Sequence, residues 1–167
     1  MENKTNYESF LERVDALSTG DRVALKRSAG VMLSEANGKA IAAFYRCITP
    51  AVPQWQEDRW FAASCIKCLW DPAEGTGEPV EKVLADLIRG AELSDSMQHR
   101  VEGLLDTQWD PDGYMLTKLC RMMKLVRQKT SAEIDFADLL EDLIYWNNEN
   151  QSVQRKWARA IFSTSGI

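Results

Sequence analysis

Apolar residues recur at helical spacing along almost all of the 167 residues, and that periodicity excludes most folds at once. In TNYESFLERVDAL, Phe10, Leu11, Val14 and Leu17 share one side of a helix expected to begin after a Thr5 cap. TGDRVALKRSAGVMLSE reads as a second helix capped by Thr19 or Asp21. GKAIAAFYRCI is a third, closed by Thr49-Pro50 and Pro53, since proline disfavours helical conformation in the residue before it. WQEDRWFAASCIKCLW is the fourth and the most aromatic. Two prolines and two glycines make DPAEGTGEP, residues 71–79, a loop, and Pro79 suits the first turn of a fifth helix, PVEKVLADLIRG, stopped by Gly90. Ser94 caps a sixth, SDSMQHRVEGLLD, and WDPDG turns the chain into a seventh, YMLTKLCRMMKLVRQK. IDFADLLEDLIYW and NQSVQRKWARAIF complete the series. No segment alternates with period two for long enough to be a strand. The expectation is an all-α fold of about nine helices in two small helical-bundle domains, residues 1–91 and 92–167, with the loop at 71–79 as the competing place to divide the chain.

Composition narrows the class without naming a function. Hydrophobic residues make up 45% and charged residues 27%, the balance of a globular rather than a disordered chain. No apolar run approaches the roughly 20 residues that span a bilayer. MENKTNYESF lacks the basic and apolar regions of a secretory signal, so the expected compartment is the cytoplasm and no membrane partner is expected.

Catalytic chemistry finds few residues to work with. The four cysteines are Cys47, Cys65, Cys68 and Cys120, and CIKC has the CxxC spacing of a redox or zinc site. Zinc needs two more ligands, no second close pair exists, and His99 is the only histidine. A thioredoxin-like motif needs a preceding strand. Cys65 and Cys68 therefore read as small apolar side chains on the inner side of a helix. Asp110 and Asp112 resemble the start of a calcium loop, but Pro111 and the missing downstream acids break the match, and an Asp capping the next helix explains WDPDG better. His99 is expected exposed or in packing, and Trp55, Trp60, Trp70, Trp109, Trp146 and Trp157 in the core or a subunit interface. No catalytic residue, metal ligand or cofactor is predicted.

The informative signal is where the charges lie. The whole chain carries a formal charge of −5, yet KLCRMMKLVRQK, residues 118–129, holds five bases and no acid. On a wheel of about 100° per residue, Met115, Leu116, Leu119, Met122, Met123 and Val126 fall within one arc. Arg121 and Lys124 point directly away from it, and Lys118 and Arg127 sit at its flanks. In the last helix Arg155, Lys156 and Arg159 lie opposite Val153, Trp157, Ala160 and Ile161. Residues 133–149, between these helices, hold six acids and no base. Pairing with that acidic helix accounts for flanking bases, and not for Arg121 and Lys124, which face away from a bundle. A smaller cluster, Arg22, Lys26 and Arg27, lies in GDRVALKRSAG, and Lys39 and Arg46 extend the acid-poor stretch. On the residues alone, these faces are either nucleic-acid surfaces or merely solvated ones.

The order of these elements resembles the CasB family, the small subunit of the type I-E CRISPR complex Cascade. GDRVALKRSAG and the Phe-Tyr pair of AFYRCI resemble its N-terminal elements. HRVEGLL, with Arg100, Leu104 and Leu105, and LCRMMKLVR, with Arg121, Lys124 and Arg127, resemble its basic C-terminal helices. IDFADLLEDLIYW and VQRKWARAIF are similar to the closing helix pair, with Asp135, Leu139, Leu140, Trp146 and Trp157 in corresponding places. The resemblance implies an all-helical, non-catalytic subunit in two small domains. Its implied partners are CRISPR RNA and target DNA, the large and backbone subunits, and a second copy of itself. Arg22, Lys26, Arg27, Lys118, Arg121, Lys124 and Arg127 are then the expected nucleic-acid contacts, made without sequence preference because guide pairing supplies specificity. This chain departs from basic relatives in its sequence pI near 5.0. Weak long-range steering follows, so the free protein is expected to bind nucleic acid feebly and to depend on the assembled complex. The competing readings are a helical protein–protein interaction module without nucleic-acid binding, and a thiol enzyme using Cys65 and Cys68.

Overall fold

The computed structural model describes residues 2–70, 77–90 and 94–163. Among these the chain forms nine α-helices: α1 (Glu2–Asp15), α2 (Thr19–Arg27), α3 (Gly38–Tyr45), α4 (Glu57–Lys67), α5 (Val80–Arg89), α6 (Ser94–Leu105), α7 (Tyr114–Lys129), α8 (Phe136–Ile144) and α9 (Ser152–Phe162). The fold is all-α. The loop expected at 71–79 falls mostly outside the described residues, as does the segment just before Ser94.

Local chemistry explains most helix ends, and some differ from expectation. α1 begins at Glu2, so Thr5 lies within the helix rather than capping it. The cap of α2 is Ser18, whose side chain accepts from Asp21 N, and not Thr19 or Asp21. The helical spacing of this segment runs on to Glu35, but α2 stops at Arg27. Gly30 takes φ +95°, a left-handed turn open to glycine, before a short 3-10 turn at Leu33–Glu35. Asn37 caps α3 through Ala40 N and Asp135 caps α8 through Asp138 N. Ahead of α7, Asp110 accepts from both Tyr114 N and Met115 N. Burial pushes that carboxyl up, but the backbone N–H bonds of Met115, Tyr114 and Asp112 outweigh it and hold Asp110 below the usual range.

Packing is centred on α4 and α8. Every residue of α4 from Arg59 to Ile66 is buried, and α8 buries Phe136, Ala137, Leu139, Leu140, Asp142, Leu143 and Ile144. α1 and α4 lie against α8, α2 lies against α3 and α4, and α5 lies against both α6 and α9. Edge-on aromatic contacts fasten α1, α3 and α4, Phe10–Trp60 at 5.0 Å and Phe44–Phe61 at 5.4 Å between ring centroids. At the other end Trp146 stands at 88° to Trp157, 5.3 Å away, and its indole N–H donates to Thr107 O. α7 buries all six members of its apolar arc, each no more than 1% exposed. At about 1.5–3 kcal/mol per side chain, this burial fixes the rotation of α7 and hence which side chains it turns outward.

Two segments far apart in sequence are also joined through backbone. Glu78 N donates to Glu133 O, and Asp135 N donates to Glu78 O, so the entries to α5 and α8 lie side by side. Gly77 allows this approach: a Cβ there would lie 2.4 Å from Ile134 C and 2.6 Å from Glu133 O. Gly77→Ala is therefore expected to cost about 1–3 kcal/mol, as overpacking against backbone does. In thermal unfolding the variant should lose roughly 2–12 °C in Tm; an unchanged Tm would contradict the tight pairing of these segments.

Candidate nucleic-acid interface

The burial of α7 leaves Arg121 and Lys124 exposed, as its apolar spacing requires, with no ion pair to either among the described residues. The flanking bases do not make the pairing with acids that was the alternative account of them. Lys118 Nζ donates at 3.4 Å to both Gly103 O and Thr107 Oγ1, and sits 4.6 Å from the centroid of the Tyr114 ring. Arg127 donates to Leu69 O at 3.3 Å while its guanidinium lies 5.9 Å from the Trp70 ring centroid. Neither charge is cancelled by these neutral partners. The helix thus carries four bases over about 13 Å, from Lys118 to Arg127, with two pinned at the ends and two projecting between them.

α2 joins this surface at the Arg127 end. Arg22 and Lys26 line a cleft of about 150 Å³ together with Asp15, Thr19, Val23, Cys68 and Trp70. Trp70 connects the two sets of bases, since it lines this cleft and lies under Arg127. Arg22 is held by its bonds to Asp15 O at 3.0 Å and Thr19 Oγ1 at 3.5 Å. Lys26 is exposed, and Arg27 is exposed at the end of α2 but does not line the cleft. The structure therefore gathers Arg22, Lys26 and Arg127 around one tryptophan. Lys118 stands apart at the α6 end, and Arg121 and Lys124 bridge the distance.

Other bases are taken up in ion pairs, Lys39 and Arg46 at the surface. Asp21, only 9% exposed, takes Arg46 at 2.9 Å and Lys39 at 3.8 Å, which removes both from the acid-poor stretch. Lys156 pairs with Asp142 at 2.6 Å and Glu81 at 3.5 Å while its side chain stays 44% exposed, and Arg155 and Arg159 beside it are exposed as well. Arg59 is buried, donates to Leu143 O and Trp55 O, and pairs with Asp58 at 3.2 Å. Burial holds its pKa below the usual value.

Trp60, Trp70, Trp109, Trp146 and Trp157 are buried, as expected. Trp55 is not: it precedes α4 in a 3-10 turn and is 61% exposed, with the Arg59 guanidinium 5.4 Å from its ring centroid. It lies in the 3-10 turn Gln54–Gln56 at the start of the fourth helical segment, where an exposed ring remains compatible with the expected subunit interface. His99 is exposed beside Glu102 at 3.5 Å.

The cysteines fit packing better than thiol chemistry. Burial pushes Cys65 well up and drives Cys68 and Cys120 to about 12 and Cys47 to about 11. Nucleophilic thiol chemistry requires the thiolate, which these environments suppress. Native protein at pH 8 should accordingly react with a disulfide reagent far more slowly than the unfolded chain. One thiol labelling at the unfolded rate would contradict this burial.

Fold and surface together define an all-helical protein with uncompensated bases concentrated on two helices that meet at a tryptophan. The chain matches the family model of the CRISPR-associated protein Cse2 over residues 21–162, and it belongs to that family. All seven candidate bases fall within the matched span. Among solved structures it is similar to CasB from M. ruber, with TM-score 0.73, 20% identity and coverage of 94% of this chain and 92% of that one. A CRISPR-associated protein of the Cse2 family from Thermus thermophilus gives TM-score 0.73 and 23% identity, covering 96% of this chain and 98% of that one. A chain of a CRISPR RNA-guided surveillance complex gives 0.73 and 20%, covering 95% and 92%. At such identities the structural likeness speaks for the fold. No curated protein sequence matches the chain.

Proposed function

We propose that this chain is a non-catalytic small subunit of a type I-E CRISPR RNA-guided surveillance complex, stabilising the guide RNA–target DNA hybrid and the displaced strand. The observation that carries the reading is α7, which projects Arg121 and Lys124 into solvent between the anchored bases Lys118 and Arg127. Membership of the Cse2 family supports it, as does likeness to a chain of a surveillance complex. Arg22, Lys26 and Arg27 on α2 extend the track past Trp70. Contacts of this kind engage the sugar–phosphate backbone and carry no sequence information.

The expected partners are CRISPR RNA, target DNA, the large and backbone subunits and a second copy of the chain within the complex. Residues 1–91 and 92–167 would form two lobes, joined where α1 and α4 lie on α8 and α5 lies on α9. The expected location is the cytoplasm; no helix among the described residues is long and apolar enough to cross a membrane. With a net charge of −5, the isolated subunit attracts nucleic acid weakly at long range, so the contacts depend on assembly. One observation favours the alternative, a helical protein–protein interaction module without nucleic-acid binding: Trp55, exposed and braced by Arg59, suits the anchor of a protein contact.

The two readings separate on Arg121→Glu with Lys124→Glu. Both positions are exposed, so the helix should stay folded and the complex should assemble. Retention of target DNA should weaken, and the slope of log affinity against log salt should fall by about 1.5 or more, as expected for losing two backbone contacts. Unchanged retention with unchanged salt dependence would exclude α7 as the nucleic-acid face.

A further inference from the structure

A second group of charges, absent from the proposed interface, lies where α5, α8 and α9 meet. Glu81 of α5 and Asp138 and Asp142 of α8 bring carboxylate oxygens within 4.8 Å of one another. Lys156 of α9 is the single ammonium among them, 2.6 Å from Asp142 and 3.5 Å from Glu81. Asp142 is 3% exposed and Glu81 7%, while Asp138 is half-buried and the Lys156 side chain reaches in from the surface, so two of the three carboxylates lie away from water.

The hydrogen bonds are unevenly shared. Asp142 Oδ1 accepts from Lys156 Nζ, and Oδ2 accepts from the Trp157 indole N–H at 2.8 Å. Both oxygens of Asp142 are thereby satisfied. Glu81 Oε1 is fully buried and has no hydrogen-bond partner. An ionised carboxylate oxygen left without a donor in the interior is costly. Three carboxylates facing one ammonium also leave an excess of two negative charges when all are ionised. A bound proton relieves both faults, because it removes one charge and turns a carboxylate oxygen into a donor.

We propose that Glu81, Asp138 and Asp142, with Lys156, form a buried proton-binding lock that holds α5, α8 and α9 together and weakens as the proton leaves. The proton is placed on Asp142, whose carboxyl then donates toward the unpartnered Glu81 Oε1. Several other charged groups around α8 are held by partners outside the cluster, while Glu141 of α8, Asp86 of α5 and the exposed Arg155 and Arg159 of α9 complete its charged surroundings. From α4, Arg59 bonds Leu143 O and Asp58, and Lys67 pairs with Asp15 while lying over the Phe136 ring. From α1, Tyr7 faces Glu141 and Tyr145. On α5, Lys82 pairs with Glu78 and Arg89 bonds Ala160 O.

Burial raises Asp142 to about 7, which places the release of the proton near neutrality. An unfolded carboxylate releases its proton near pH 4. The folded state therefore binds more protons than the unfolded state between about pH 4 and 7, and its stability from this source falls as pH rises through that window. The contribution is full below the window and lost above about pH 7.

Thermal unfolding of the full chain from pH 5.5 to 8.5 tests the lock by difference. Glu81→Gln removes a carboxylate at nearly constant shape, and Glu78→Gln serves as an exposed control. The Tm of Glu81→Gln relative to wild type should rise with pH, from near zero at pH 5.5 to about 3 °C or more at pH 8.5. Asp138→Asn, at a half-buried position, should shift the same way and covers the case in which Glu81→Gln fails to fold. A difference that stays constant with pH in either folded variant would overturn the proposal. Added Mg²⁺ or Ca²⁺ that raised the wild-type Tm at pH 8.5, but not that of Glu81→Gln, would show a cation site instead and overturn it equally.

Discussion

The bond set around Asp142 is the constraint on which the second half of the structure turns. α8 is packed by α1 and α4, and its inward face also carries an acid. Such an acid is tolerated only where donors meet it. Lys156 and the Trp157 indole supply them from α9, and the edge-on pairing of Trp157 with Trp146 fixes the angle at which they arrive. A single acid thereby sets the rotation of α9. It also engages one base of that helix: Lys156 is taken into an ion pair at the surface, and Arg155 and Arg159 are exposed beside it.

Charge allocation follows the same logic elsewhere. Asp21 takes Arg46 and Lys39, and Asp58 takes Arg59. α7 contains no acid, and its apolar arc is too completely buried to let the helix rotate and hide its bases. An acidic protein can therefore present a basic track. Its acids are spent on internal pairs or lie elsewhere on the surface, while α7 and the outward residues of α2 keep their positive charge. This local arrangement reconciles a net charge of −5 with the proposed nucleic-acid role.

Much of this was legible in the sequence because a helix reports its own phase. The bounds of α7 match the segment read from periodicity, and Arg121 and Lys124 point outward for the reason given by Met115, Leu119, Met122 and Val126. What could not be read were partners chosen across the fold. Lys156 and Asp142 are 14 residues apart on different helices, so their bond depends on how α8 and α9 cross. For Lys118 and Arg127, pairing with acids was the alternative to a nucleic-acid contact, and within the chain they meet carbonyls of α6 and of the turn after α4 instead. The convergence of Arg22, Lys26 and Arg127 on Trp70 likewise needs the packing of α2 on α4. Smaller errors were local: Ser18 competed successfully with Thr19 and Asp21 as a cap, and the turn at Gly30 overrode a helical pattern that looked continuous.

The central claim is that these basic helices act within an RNA-guided complex, and its most direct test is the RNA that accompanies the protein. Tagged protein should be purified gently from its native host and the co-purifying RNA sequenced. The account predicts short RNAs that share one repeat-derived handle and differ in their guide portion. Recovery of a clean protein partner with no such RNA would contradict it and leave the helical interaction module as the better description.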